Sequence, residues 1–86
     1  MARVFEGVLI PASGGFGMWE MGEYVATECE TIADWLSLCE YNGLTVETTD
    51  ALDGRVYEQN GATIYAATTI IDGEPVTTYH AVSVHE

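Results

Sequence analysis

The sequence predicts an α+β fold: one helix, about residues 28–41, packed on an antiparallel sheet with a C-terminal three-stranded β-meander. Three observations carry this. Thr27-Glu28-Cys29-Glu30 forms a capping box, apolar residues follow at helical spacing, and Asn42-Gly43 supplies a stop. Asn60-Gly61 and Asp72-Gly73 are hairpin-turn dipeptides set between strand-like runs. Hydrophobic residues make up 48% of the 86, too many for a disordered acidic chain and enough for a small core in one domain, residues 1–86.

The first strand reads as Arg3–Pro11, followed by a turn at Ser13-Gly14-Gly15-Phe16-Gly17. Met18–Thr27 reads as a second strand in which Gly22 weakens the pairing or marks a bulge. In the helix, Cys29, Ile32, Ala33, Leu36 and Cys39 make the buried stripe, with Trp35 on its edge. Glu30, Asp34, Ser37 and Tyr41 fall on the exposed face. Cysteines ten apart on one helix stand about 15 Å apart along its axis. A disulfide needs Cα atoms within roughly 7 Å, so both are expected as free, buried thiols.

Leu44–Thr49, Arg55–Gln59, Ala62–Ile71 and Val76–His85 then read as strands, the last three forming the meander. One conflict stands in this reading. A two-residue turn at Asp72-Gly73 pairs Ile71 with Glu74, whereas the alternation of Ile64, Ala66 and Ile70 against Val76, Val82 and Val84 asks for one residue more. A bulge near Glu74-Pro75 would reconcile the two.

Charge limits the functions. The chain has 14 acidic residues, two arginines (Arg3 and Arg55) and no lysine, for a net charge of -12. A net charge of about 2–8 suffices for the solubility of a small domain. Direct nucleic-acid binding needs several cations to neutralise phosphates, anionic membranes would repel the chain, and a P-loop lysine is absent. No apolar run is long enough to span a bilayer and none fits a secretory leader, so a cytoplasmic location is the expectation.

No constellation points to catalysis, a metal or a cofactor. Paired carboxylates would need a cleft. Cys29, Cys39, His80 and His85 lack metal-ligand spacing. Asp50-Ala51-Leu52-Asp53-Gly54 lacks the further oxygen ligands of a calcium loop and reads as a turn. The serines lack a nucleophile-elbow context.

The distribution of charge is more telling. From Val4 to Asp53 there are ten acids and no Lys, Arg or His. Ordinary surfaces intersperse signs. Carboxylates at i,i+4 on a helix, as Glu30 and Asp34, or at i,i+2 on a strand lie about 6–7 Å apart, near the spacing of phosphates along a nucleic-acid strand. Glu20 and Glu23 extend the row.

In small size, acidity, lack of lysine and lack of catalytic apparatus, the chain resembles the small phage-borne anti-defence proteins, among them anti-CRISPR proteins and DNA-mimic anti-restriction proteins. The resemblance is one of profile over the whole chain, and no motif residue is carried over. It implies a non-enzymatic inhibitor that places carboxylates in the basic groove of a nucleic-acid-binding protein or complex. Glu20, Glu23, Glu30 and Asp34 are the expected partner-binding acids. Trp19 and Tyr24 are the expected anchors, since interface hot spots favour such residues, with Phe16 and Tyr41 nearby. An adaptor, antitoxin or assembly factor with an aromatic interface is the alternative, and adaptation to high salt would also give an acidic, lysine-poor chain. Uncovered sheet edges leave a homodimer open.

Overall fold

The structure, a computed structural model, describes residues 2–13, 17–59 and 61–86, with Asp53 described by its backbone alone. Five strands and one helix follow in the order β1 (Arg3–Pro11), β2 (Trp19–Ala26), α1 (Ile32–Tyr41), β3 (Thr45–Thr48), a 3-10 turn (Asp53–Arg55), β4 (Thr63–Ile71) and β5 (Glu74–His85). The strands form one antiparallel sheet in the order β2-β1-β5-β4-β3. β5 is central, so the first and last strands of the chain are neighbours.

The middle of the sheet is covered on both faces. On one, Val4, Tyr65 and Val82 pack with Cys29, Trp35 and Cys39, and Ile32, Leu36, Leu44 and Val46 close the cluster. On the other, Leu9, Ile64 and Ala81 pack under Leu52, with Trp19, Met21, Val56 and Tyr79 around them. Helix α1 thus closes one face, and the segment from Leu52 to Val56 lies over the other.

The helix begins at Ile32, not at residue 28. The Thr27 amide and hydroxyl both donate to the Val4 carbonyl, at 2.8 Å each, and the Thr27 hydroxyl accepts from the Cys29 amide at 3.1 Å. The Val4 amide in turn donates to the Cys29 carbonyl at 2.8 Å. Residues 27–29 are therefore fastened to β1. Thr31 is the N-cap, its Oγ1 accepting from the Asp34 amide at 3.1 Å. Thr27-x-x-Glu30 and Thr31-x-x-Asp34 are competing signatures, and the bonds to Val4 select the second. Cys29 consequently lies outside the helix. Both cysteines are free and buried, but they share one core cluster. The stop is as expected: Gly43, at φ 83, donates to the Glu40 carbonyl while the Leu44 amide reaches the Cys39 carbonyl.

Residues 55–59 form no strand. The 3-10 turn ends at Arg55, Val56 makes a single parallel bridge to Trp19, and the Tyr57 amide donates to the Trp19 carbonyl at 3.0 Å. This path seats Leu52 and Val56 against the second face. The C-terminal strands β3, β4 and β5 are consecutive antiparallel neighbours, but only β4 and β5 are joined by a tight turn. At the Asn60-Gly61 dipeptide Gly61 has φ 73, and Asn60 lies outside the described residues.

At Asp72-Gly73 both residues have positive φ, 52 and 80, as a type I′ turn requires. Ile71 pairs with Glu74 and Ile70 with Pro75, with no bulge there. The expected register conflict disappears because Ile64 and Val82 serve opposite buried faces, while Ile70, Val76 and Val84 are exposed and constrain no register. Ile64 and Ala66 serve the second face, Val82 the helix face. The bulge lies at the other end of the sheet. Gly7 pairs with Tyr24 and Leu9 with Met21, leaving Gly22 and Glu23 both opposite Val8. The Ser13–Gly17 turn falls largely outside the described residues.

Candidate interaction surface

The bulge in β2 decides where the first two expected acids stand. On a regular strand, residues three apart point to opposite faces. Here Glu20 is opposite Ile10 and Val25 opposite Glu6, while Glu23 lies in the bulge opposite Val8. Ile10, Val8 and Glu6 alternate with Val4 on the helix-bearing face. Glu20 and Glu23 are brought to that face together, about 10 Å apart at the rise of a strand. The spacing is wider than a continuous i,i+2 row.

Glu28, Glu30 and Asp34 continue the acidic path around the start of α1, and all three are exposed. Asp34 is in the first turn of α1, at the positive end of the helix dipole. The fastening of residues 27–29 to Val4 holds this turn against β1. Twelve of the 14 acids are exposed; Glu6 is half-buried and the Asp53 side chain is not described. Arg3 directs its guanidinium to the Thr27 carbonyl, at 3.1 Å.

The two expected aromatic anchors are held by the sheet. Trp19 is half-buried, its ring edge-on to Tyr79 with centroids 5.4 Å apart, and it packs on the second core. Tyr24 is half-buried and stacked on Phe5 at 5.8 Å, with its hydroxyl 3.5 Å from His85 Nε2. Burial pushes its phenol up from the ordinary value of 10.0. Tyr41 is the fully presented aromatic, 88% exposed, and Phe16 lies outside the described residues.

The exposed apolar side chains near Glu20 and Glu23 are aliphatic: Val8, Ile10 and Val25. Helix α1 covers only part of its face, and these residues lie beyond it. The signal for them was the alternation Val4, Glu6, Val8, Ile10 in β1, longer than one ten-residue helix can bury.

A second feature was missed by sequence reasoning. Glu6 accepts a hydrogen bond from the Trp35 indole at 2.6 Å. Trp35 also meets Tyr65 and His80, with centroids 5.2 and 6.3 Å away. His80 Nε2 is 2.8 Å from the Thr78 hydroxyl, and its Nδ1 is buried without a partner among the described residues. An acid within an apolar strand face was the available clue to this cluster. Burial lowers the His80 pKa, partly offset by Glu6. The Cys39 thiol is pushed up by burial, then by Glu6 and Cys29. That is the opposite of the depression that activates a thiol nucleophile.

Among the described residues, no three His, Cys, Asp or Glu side chains converge as a metal site, and no helix is long and apolar enough to cross a membrane. Comparison with family models, with curated proteins and with solved structures returns no match.

Proposed function

We propose that this chain is a non-enzymatic inhibitor of a nucleic-acid-binding protein or complex, of the anti-CRISPR or anti-restriction type. Its carboxylates occupy the Lys/Arg groove that otherwise holds the nucleic-acid backbone. The observation that supports the reading is the exposed acidic path through Glu20, Glu23, Glu28, Glu30 and Asp34, on a chain with two cations in all. Such a single-sign surface attracts a basic partner quickly and in a salt-dependent way.

The test recovers the partner from a host lysate on the immobilised chain, then sets duplex DNA in competition with it. Exposed charge pairs contribute about 0.2–1 kcal/mol each, so losses accumulate over several carboxylates. The variant combining Glu20→Gln, Glu23→Gln, Glu30→Gln and Asp34→Asn is expected to bind at least about tenfold more weakly, roughly 1.4 kcal/mol. Its affinity is also expected to depend less on salt between about 0.05 and 0.5 M. A partner that holds DNA and this chain at once, with affinity indifferent to salt and to the four substitutions, defeats the proposal.

A further inference from the structure

The two edges of the sheet differ. At the β3 edge, α1 and β3 leave a groove of about 440 Å³ lined by Leu36, Glu40, Leu44, Thr45 and Val46. Leu36, Leu44 and Val46 are half-buried and belong to the rim of the helix-side core. The floor of the groove is therefore the open side of that core. β3 is the last strand of the sheet, and its sheet neighbour is β4. One side of its main chain thus faces outward, and an edge strand of this kind presents unpaired N–H and C=O groups.

The charge around the groove has one sign. Glu40 lines it, Glu47 lies on β3, Asp50 follows the strand, and all three are exposed. Neither arginine lines it. From these observations we propose that the β3 edge takes an extended segment of a partner protein as an added strand. The segment carries aliphatic side chains at every second position and Lys or Arg between them. Its main chain pairs with Thr45–Thr48, its aliphatic side chains lie beside Val46 over Leu36 and Leu44, and the cations between them point to the other face of the sheet, where Glu47, paired with Ala66, stands. This is strand addition to a sheet edge, in which main-chain bonds give affinity and alternate side chains give specificity. A second copy of the chain fits less well, because it would set these three acids against acids on a body of charge -12. The site stands at the opposite edge of the sheet from Glu20 and Glu23 and does not depend on the inhibitor reading.

The probe is an acetylated, amidated eight-residue peptide alternating Lys and Val, titrated into the isotopically labelled full chain and followed by amide chemical shifts. Three control peptides replace Val by Ser, N-methylate the Lys amides, or N-methylate the Val amides. All amides of one residue type point to one edge of an extended peptide, so one methylated form blocks pairing and the other does not. The expected result is shifts confined to residues 36–50, with the Ser peptide and one methylated form binding at least tenfold more weakly. Glu47→Gln is expected to weaken the Lys-Val peptide at least threefold and to weaken it more than Glu40→Gln does, because Glu40 lies on the face that takes the valines. Equal affinity for all four peptides, absence of binding, or shifts centred on residues 20–34 overturns the proposal. Dilution-dependent shifts at β3 without peptide overturn it in favour of a second copy.

Discussion

His80 shows how one residue links the core to solution conditions. It sits opposite Val8 and Tyr65 on the helix-bearing face, against Trp35, with Glu6 the nearby charge. Burial lowers its pKa below the ordinary 6.5, against the opposing pull of Glu6, so the folded state favours the neutral ring more than the unfolded chain does. A base with a depressed folded pKa contributes stability that is present above the unfolded value and lost as pH falls through the folded value. The urea midpoint is therefore expected to drop as pH is lowered from about 7.5 through 6.5 and below, the unfolded pKa of histidine being about 6.5. His80→Gln keeps a polar group near Thr78 and removes the titration, so the difference between the two profiles should isolate the effect. Parallel profiles would show that the fold does not lower the His80 pKa. This coupling was not legible in the sequence, where His80 was only a histidine in a strand. Its neighbours come from β1, β4 and α1, far apart in the chain.

At the scale of elements, local signals were read correctly where no tertiary bond competed. The Asn42-Gly43 stop and the Asp72-Gly73 turn are backbone requirements, fixed by the need for positive φ. Gly43→Val and Gly73→Val are each expected to cost about 1–2 kcal/mol, because a β-branched residue resists that region. Gly54, with open space about its Cβ position and no positive φ, provides the control, and Gly54→Ala should leave the melting temperature nearly unchanged. Equal behaviour of all three in thermal melts would contradict the turn assignments. The helix start and residues 55–59 were not legible for a different reason. Thr27 and Thr31 open equally good caps, and only the Val4 carbonyl, brought close by the sheet, distinguishes them. Arg55–Gln59 has strand composition, yet Leu52 and Val56 serve better as a cover over Leu9 and Ile64. Of the candidate surface, the exposure of Glu20, Glu23, Glu30 and Asp34 followed from composition. The bulge that sets the first two on one face was foreshadowed only by Gly22.

Over the whole molecule, exposed carboxylates repel one another across a body with principal extents of 38 × 35 × 20 Å. Two unit charges about 10 Å apart in water interact by roughly 0.4 kcal/mol before screening, so the sum over twelve exposed acids opposes compaction. The four acids of the proposed interface divide by their local setting. Glu20 and Glu23 lie on an edge strand and gain nothing from a helix dipole. Asp34 lies in the first turn of α1, where a negative charge contributes about 0.3–1 kcal/mol to the helix, and Glu30 stands just before the N-cap Thr31. Neutralising the strand pair, Glu20→Gln with Glu23→Gln, is therefore expected to raise the melting temperature at low salt by a few degrees, since about 1 kcal/mol corresponds to roughly 4–8 °C in a domain of this size. Neutralising Glu30 and Asp34 is expected to leave it unchanged or lower it, because the lost dipole interaction offsets the relieved repulsion. Raising NaCl from about 0.05 to 0.5 M shortens the field to a few Å. It should stabilise the wild type more than the strand-pair variant. Thermal melts of the three proteins at both salt concentrations measure all of this at once. If the strand pair and the helix pair respond alike, and the wild type is indifferent to salt, the acids are too dispersed to form a field, and the charge at the interface must act contact by contact. If they divide as argued, Glu20 and Glu23 hold a repulsion that the cations of the proposed basic partner would relieve, and that relief would add to its affinity.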